Sequence, residues 1–183
     1  MLRSKRILLL SHCLLNVNAK VYKLANYEGC FEILLSHLMK EGYGFIQLPC
    51  PELITCGINR WGQVKEQYET EFFRKQFKSL LKPIIYQLLD YKNNGYTISG
   101  CIGIDGSPNC GITKTTRGKW GGEIDDTFNL EETLSSTRSV NEKGVYMEVF
   151  SELLDKNNLD LKFYAVDEAD PSSSVKNILK ELL

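Results

Sequence analysis

Apolar residues in this chain fall into short unbroken runs separated by stretches with a helical period. Ile7 to Leu10 is apolar at every position, as in a strand buried on both faces, and this predicts a first strand from Lys5 to Ser11. Phe31, Leu34, Leu35, Leu38 and Met39 recur at helical spacing and predict a helix from Glu28 to Lys40, closed by Gly42 and Gly44. Phe45 to Leu48 reads as a second strand that stops at Pro49. After a polar loop, a long helical stretch is expected from about Val64 to Lys92, with Phe73, Phe77, Leu81, Ile84, Ile85 and Leu88 on its apolar side. Pro83 removes a backbone donor and is expected to kink that stretch or start a new helix. Asn93-Asn94-Gly95 reads as a C-cap, and Tyr96 to Ile104 as a third strand ending in Asp105-Gly106. A glycine- and lysine-rich loop then leads to a helix from Val145 to Leu154 and a fourth strand from Leu161 to Val166. Pro171 opens a final amphipathic helix to Leu183.

Strands alternating with helices predict an α/β fold: one three-layer domain over 1–183, with a mostly parallel sheet of about four strands and helices on both faces. At 183 residues the chain suits one domain and can bury a core without disulfides. Its 22 Lys+Arg against 23 Asp+Glu leave a net charge of -1, which argues against a nucleic-acid or anionic-membrane partner. The start, MLRSKRILLLSHCLL, has the basic-then-apolar order of a secretory leader, but its uninterrupted apolar run is too short for one. No stretch approaches the ~20 apolar residues that span a bilayer. A cytoplasmic location is expected, in which thiols stay reduced. The oligomeric state is left open.

Six cysteines beside two histidines then become the feature to explain. In a reducing compartment they are core filler, redox thiols or metal ligands. In an open parallel sheet, ligands bind outside the carboxyl ends of the strands. Cys13 lies just past the first strand, Cys50 just past the second, and Cys110 six residues past the third. Taken singly, each is most simply a small apolar filler. Together, in loops flanked by Gly, Pro or Asn, they can converge as a soft-metal site for zinc or an iron–sulfur cluster, with one coordination position open. Cys30, on the predicted first helix, and Cys101, within a strand, are assigned to packing, while Cys56 is ambiguous between spare ligand and thiol acceptor.

The local sequences are Ser11-His12-Cys13-Leu14-Leu15-Asn16, Pro49-Cys50-Pro51-Glu52, and Gly106-Ser107-Pro108-Asn109-Cys110-Gly111. In order and spacing over the first 111 residues, this set resembles the thiouracil desulfidase family, whose members carry S-x-C-L-L-G, C-P-E and S-P-S-C-G segments. The chain departs from that pattern at Asn16 and Asn109 and shows no R-Y-D-G segment, so the resemblance is to a divergent, desulfidase-related member. It implies that Cys13, Cys50 and Cys110 hold a 4Fe–4S cluster whose fourth iron binds the sulfur of a small thiocarbonyl substrate, such as a thio-nucleobase. It also implies a catalytic carboxylate at Glu52 and an active-site serine at Ser107. Read without the resemblance, Glu52 is a solvated loop carboxylate and Ser107 a turn residue before Pro108.

The implied chemistry is hydrolysis of a C=S bond with release of sulfide. Glu52 would act on the attacking water as general base and Ser107 would bind the substrate ring or steady the water. No electron transfer is required, and neither a flavin nor a nicotinamide is expected. Two alternatives use the same three cysteines: a zinc-thiolate hydrolase, and a non-catalytic module that binds a metal or cluster. His12 is a weaker candidate for tuning such a site, and His37 is expected to be structural. The basic stretch Lys114, Arg117 and Lys119 is expected to be a solvated loop.

Overall fold

A computed structural model describes residues 2–183. The predicted fold class is realised. Strands β1 (Arg6–Leu10), β2 (Gly44–Gln47), β3 (Thr97–Ile104) and β6 (Phe163–Val166) form one sheet in the order β2-β1-β3-β6, and every pairing is parallel. Along β1 the side chains alternate between two cores, and this is why the run Ile7 to Leu10 is apolar throughout. Leu9, with Cys101 of β3, packs under helices α5 (Glu71–Asn93) and α7 (Val145–Lys156). Leu8 and Leu10, with Ile102 and Ile104, pack under α2 (Glu32–Lys40) and α8 (Pro171–Leu182). Both faces are thereby covered, giving three layers. Among the described residues no helix is long and apolar enough to cross a membrane.

Three expectations need correction. The long helical stretch does break, but at Glu69-Thr70 between α4 (Lys65–Tyr68) and α5, where the Thr70 hydroxyl accepts from the Phe73 N–H. Helix α5 runs unbroken through Pro83. Pro83 and Ser79, whose carbonyl would have paired with residue 83, both lie on the exposed face, so water can satisfy that carbonyl. Burial of Leu81, Ile84, Ile85 and Leu88 at about 1.5–3 kcal/mol each outweighs the ~3 kcal/mol that an internal proline costs. Second, the first helix starts at Glu32 rather than Glu28, because Gly29 has φ +63° and its carbonyl accepts from Val17 N–H. Cys30 therefore lies in the approach to α2, where it packs against the second core.

Third, the loop after β3 contains a short antiparallel ribbon, β4 (Thr115–Arg117) with β5 (Arg138–Val140), and a helix between them, α6 (Leu130–Ser135). Strands of three residues are too short to leave a period in the sequence. The basic stretch that opens this excursion is not simply solvated. Arg117 donates to Glu69 at 2.7 and 2.9 Å and to Glu142 at 2.8 and 2.9 Å. Lys65, whose side chain is only 2% exposed, reaches Glu142 at 2.9 Å and Glu148 at 2.6 Å. These ions clamp the ribbon onto α4 and α7, while Lys114 approaches Asp167 at 3.7 Å.

The Arg117 guanidinium, with Lys65, holds the Glu142 carboxyl down at about 2, and Arg117 also lowers Glu69. A depressed carboxyl stabilises the fold above its unfolded value of roughly 4.3, and that contribution fades as pH falls toward the folded value. Limited proteolysis is therefore expected to leave the ribbon intact at pH 5 and to cut it as pH approaches 2. Arg117→Ala should expose it already at pH 7. Equal resistance of the variant and the parent at pH 7 would show that the clamp does not hold the ribbon.

Candidate functional site

Three thiols are delivered by the ends of the three adjacent strands β2, β1 and β3. After β1, the Ser11 N–H bonds to the Ile102 carbonyl at 2.9 Å and the chain turns into the single-turn helix α1 (His12–Leu15), which carries Cys13. After β2, Cys50 is the N-cap of α3 (Pro51–Cys56), with its sulfur accepting from the Leu53 N–H at 3.4 Å. After β3, Asp105 organises the turn that carries Cys110. Its carboxylate accepts from the backbone N–H groups of Ile112, Thr113 and Lys114 at 2.9, 2.8 and 3.2 Å.

The Cys110 turn is also held from behind. Helix α7 begins with N–H groups that no preceding turn satisfies. Those of Gly144, Val145 and Met147 bond to the carbonyls of Gly111, Pro108 and Asn109 at 2.9, 2.9 and 3.1 Å. The approach is tight enough to require glycine. A Cβ on Gly144 would lie 2.4 Å from the Asn109 carbonyl carbon, and one on Gly103 would lie 2.5 Å from the Cys110 oxygen.

Cys13, Cys50 and Cys110 line one cavity of about 440 Å³ together with Ser11, Glu52 and Ser107. Every site residue expected from the sequence is thus brought to the same place. Cys30, Cys56 and Cys101 are not on its walls: Cys101 is fully buried in the sheet, and Cys56 packs against the α5–α7 core. The thiols interact. Hydrogen bonding to Cys50, then burial, then the neighbouring Cys110 and Cys50 charges push the Cys13 thiol up. The same Cys13 hydrogen bond, helped by the Leu53 N–H, brings Cys50 down to about 7 against the opposing effect of burial. Cys110 is pushed up, first by burial and then by the charges of Cys50 and Glu52. Cys13 and Cys50 thus form a hydrogen-bonded pair of thiols, and Cys110 shares their cavity.

Glu52 is not the solvated carboxylate that its loop position suggests. Its side chain is 15% exposed, with Oε2 accepting from Arg60 Nε at 3.1 Å and Oε1 from Asn109 Nδ2 at 3.1 Å. Arg60, 4% exposed, also donates to the carbonyls of Gly57 and Ala19 at 3.1 and 2.7 Å, tying the Cys50 segment to the one that follows Cys13. The Ser107 hydroxyl accepts from the N–H groups of Asn109 and Cys110 at 3.2 and 2.9 Å. A hydroxyl has two lone pairs and one proton, so Ser107 is left as a hydrogen-bond donor toward the cavity.

Four buried polar atoms have no partner among the described residues: Ser11 Oγ, His12 Nδ1, Asn109 Oδ1 and Tyr146 Oη. Ser11, His12 and Asn109 directly adjoin or carry the site loops. The Tyr146 hydroxyl, in the first turn of α7, is pushed up by burial and then by the charges of Cys110, Cys101 and Cys50. Burial also lowers the His12 imidazole, favouring its neutral form. Among the described residues, no three His, Cys, Asp or Glu side chains are arranged to hold a single metal ion.

Over 181 residues, covering 98% of each chain, the protein is 36% identical to the uncharacterized protein MJ0003 of Methanocaldococcus jannaschii. The chain belongs to the family of that archaeal protein. No protein-family model and no solved structure matches it. In this family member Arg60, Tyr146 and the supporting role of Asn109 escape a reading of the sequence. Arg60 carries no signal beyond being a cation eight positions after Glu52, and Tyr146 reads as ordinary helix core.

Two stability measurements check the supports. Gly144→Ala overpacks the Asn109 backbone and should cost about 1–3 kcal/mol in urea unfolding. Arg60→Ala leaves Glu52 half-buried without its charge partner and should cost roughly 2–5 kcal/mol, with Arg60→Lys recovering only part because lysine cannot reproduce the planar fork. A loss under about 0.5 kcal/mol for either alanine variant, on the scale of ordinary surface changes, would contradict the corresponding support.

Proposed function

We propose that the protein is an iron–sulfur-dependent desulfidase that hydrolyses a small thiocarbonyl compound of the thio-nucleobase kind and releases sulfide. The carrying observation is the convergence of three thiols from three strand ends, beside Glu52 and Ser107, on one cavity. Cys13, Cys50 and Cys110 are the residues that would hold a 4Fe–4S cluster, and when bound it supplies an open iron that polarises the substrate's sulfur.

The chemistry of the donor set fits that group: three thiols on one cavity are the soft ligands by which iron–sulfur clusters are held. The Ser11 hydroxyl, on the cavity wall, is a donor of the type that cluster sulfurs accept. A reducing compartment, the cytoplasm, suits a site of free thiols.

The reaction exchanges a C=S bond and water for a C=O bond and hydrogen sulfide. Glu52, with one lone pair on each oxygen held by Arg60 or Asn109, has its others free to take a proton from the attacking water and return it to the departing sulfur. Ser107 donates its O–H to an acceptor atom of the substrate ring.

Anaerobic reconstitution should give a brown protein with about four irons and four sulfides per chain. Both should be lost in Cys13→Ala, Cys50→Ala and Cys110→Ala and kept in Cys30→Ala. Because hydrogen bonding and burial push the Cys13 and Cys110 thiols up and binding requires thiolates, loading should proceed more readily at pH 8.5 than at pH 7. The loaded protein should release sulfide from thiolated pyrimidines, with a loss of roughly 100-fold or more in Glu52→Gln. A colourless protein holding one zinc after oxygen-free preparation would overturn the cluster, and unchanged turnover in Glu52→Gln would overturn the role of that carboxylate.

A further inference from the structure

A second cavity lies at the opposite end of the sheet. Its apolar walls are Leu88 of α5, Ile98 near the start of β3, Leu154 of α7, and Leu159 and Leu161 on the approach to β6. None of the residues assigned to the reaction lines it. At about 3.3 Å per residue, the run of β3 from Ile98 to Ile104, which borders the thiol cavity, separates the two by roughly 20 Å. Its volume of about 270 Å³ falls just under the roughly 300–1,000 Å³ of drug-sized sites, so it suits a smaller ligand.

Three cations gather around this cavity, two of them at Tyr96 on its wall. Tyr96 is fixed by its N–H bond to the Tyr91 carbonyl at 3.0 Å and by the Tyr91 ring, with 5.0 Å between centroids. Arg3 donates to the Tyr96 hydroxyl at 3.1 Å, which leaves that hydroxyl its own proton to give. Lys5 Nζ lies 5.5 Å from the centre of the Tyr96 ring, and the Lys5 carbonyl accepts from the adjacent Thr97 N–H at 2.8 Å, holding the two segments side by side. Lys92, on the wall itself, donates to the Asn158 carbonyl at 2.8 Å and keeps two protons. Among the described residues none of these three cations is paired with a carboxylate, whereas Lys20, Arg60, Lys65, Arg74 and Arg117 all are. The one carboxylate on the wall is Asp160, so positive charge is in surplus beside an apolar hollow.

We propose that this second cavity binds a small amphipathic anion, a carboxylate or phosphate monoester with a short apolar tail. The tail lies against Leu88, Leu154 and Leu159, and the head meets Lys92, Lys5 and Arg3 and accepts from the Tyr96 hydroxyl. A solvated patch of cations would attract anions whatever their tails, and a mere packing gap would take apolar molecules whatever their charge. A built site requires both parts of the ligand. The site is independent of the chemistry at the thiols.

Calorimetric titration of the whole chain with butanoate, hexanoate and octanoate tests this, with octyl phosphate, octanol and octylammonium as head-group variants. Affinity should rise about two- to fourfold per added methylene. Octanoate or octyl phosphate should bind at least about tenfold more tightly than octanol or octylammonium, and added salt should weaken both anions. The tighter of the two identifies the preferred head. Lys5→Met and Lys92→Met should each weaken binding about three- to tenfold, and Asp160→Asn should strengthen it at least about twofold. The Lys5 ammonium makes no hydrogen bond among the described residues, so its loss tests the head-group contact without loosening the fold. Lys78→Met, which removes a cation of α5 that lies 3.6 Å from Glu152, serves as the control and should change nothing. Octanol binding as tightly as the anions, affinity independent of tail length, unchanged affinity in both lysine variants, or failure of both anions to bind would overturn the inference.

Discussion

The site depends on a reciprocal satisfaction of backbone groups between the first turn of α7 and the loop that follows β3. A helix N-terminus presents donors without partners, and a loop leaving a buried strand presents carbonyls in the same condition. Here the N–H groups of residues 144, 145 and 147 meet the carbonyls of residues 111, 108 and 109. Neither partner can be buried without the other. Because α7 is also the most completely buried helix, with Val145, Tyr146, Met147, Val149 and Phe150 all inaccessible, the loop inherits the rigidity of the core. Cys110 is thus fixed by core packing although it lies in a loop, as a preorganised site requires.

The same geometry explains what the sequence could and could not disclose. Leu8, Leu9 and Leu10 announce a strand buried on both faces because successive side chains point into different cores. Once that strand is central, the parallel rule brings its end, and the ends of its neighbours, to one edge, and Cys13, Cys50 and Cys110 follow. The ribbon was hidden because strands of three residues contain fewer than two periods of alternation. Pro83 does not break α5 because its cost is local, whereas the burial that offsets it is spread along the rest of the helix. Arg117 read as a solvated cation because its carboxylate partners are 25 and 48 positions distant.

Polar satisfaction is uneven across the molecule in an informative way. Away from the cavity, buried polar groups are paired: Lys65, nearly inaccessible, has three carboxylates around it. The four unpartnered buried atoms belong instead to Ser11, on the cavity wall, to His12 and Asn109, directly before Cys13 and Cys110, and to Tyr146 in the first turn of α7. An unmade hydrogen bond costs about 1–3 kcal/mol, so a fold that satisfies its remote groups and leaves these open concentrates its polar deficit around the Cys13 and Cys110 turns.

Asn109 shows how a departure from the desulfidase-like pattern is accommodated. The resemblance would place serine at this position, yet the residue is fully buried and its amide nitrogen supports Glu52 at 3.1 Å. A serine side chain is one bond shorter and its hydroxyl would stop short of that carboxylate. With asparagine, Glu52 is held from both sides, by a guanidinium on one oxygen and an amide on the other. Two fixed donors leave the carboxylate few orientations, so its remaining lone pairs are ordered in advance. The residue that departs from the desulfidase-like motif therefore holds the Glu52 carboxylate in place.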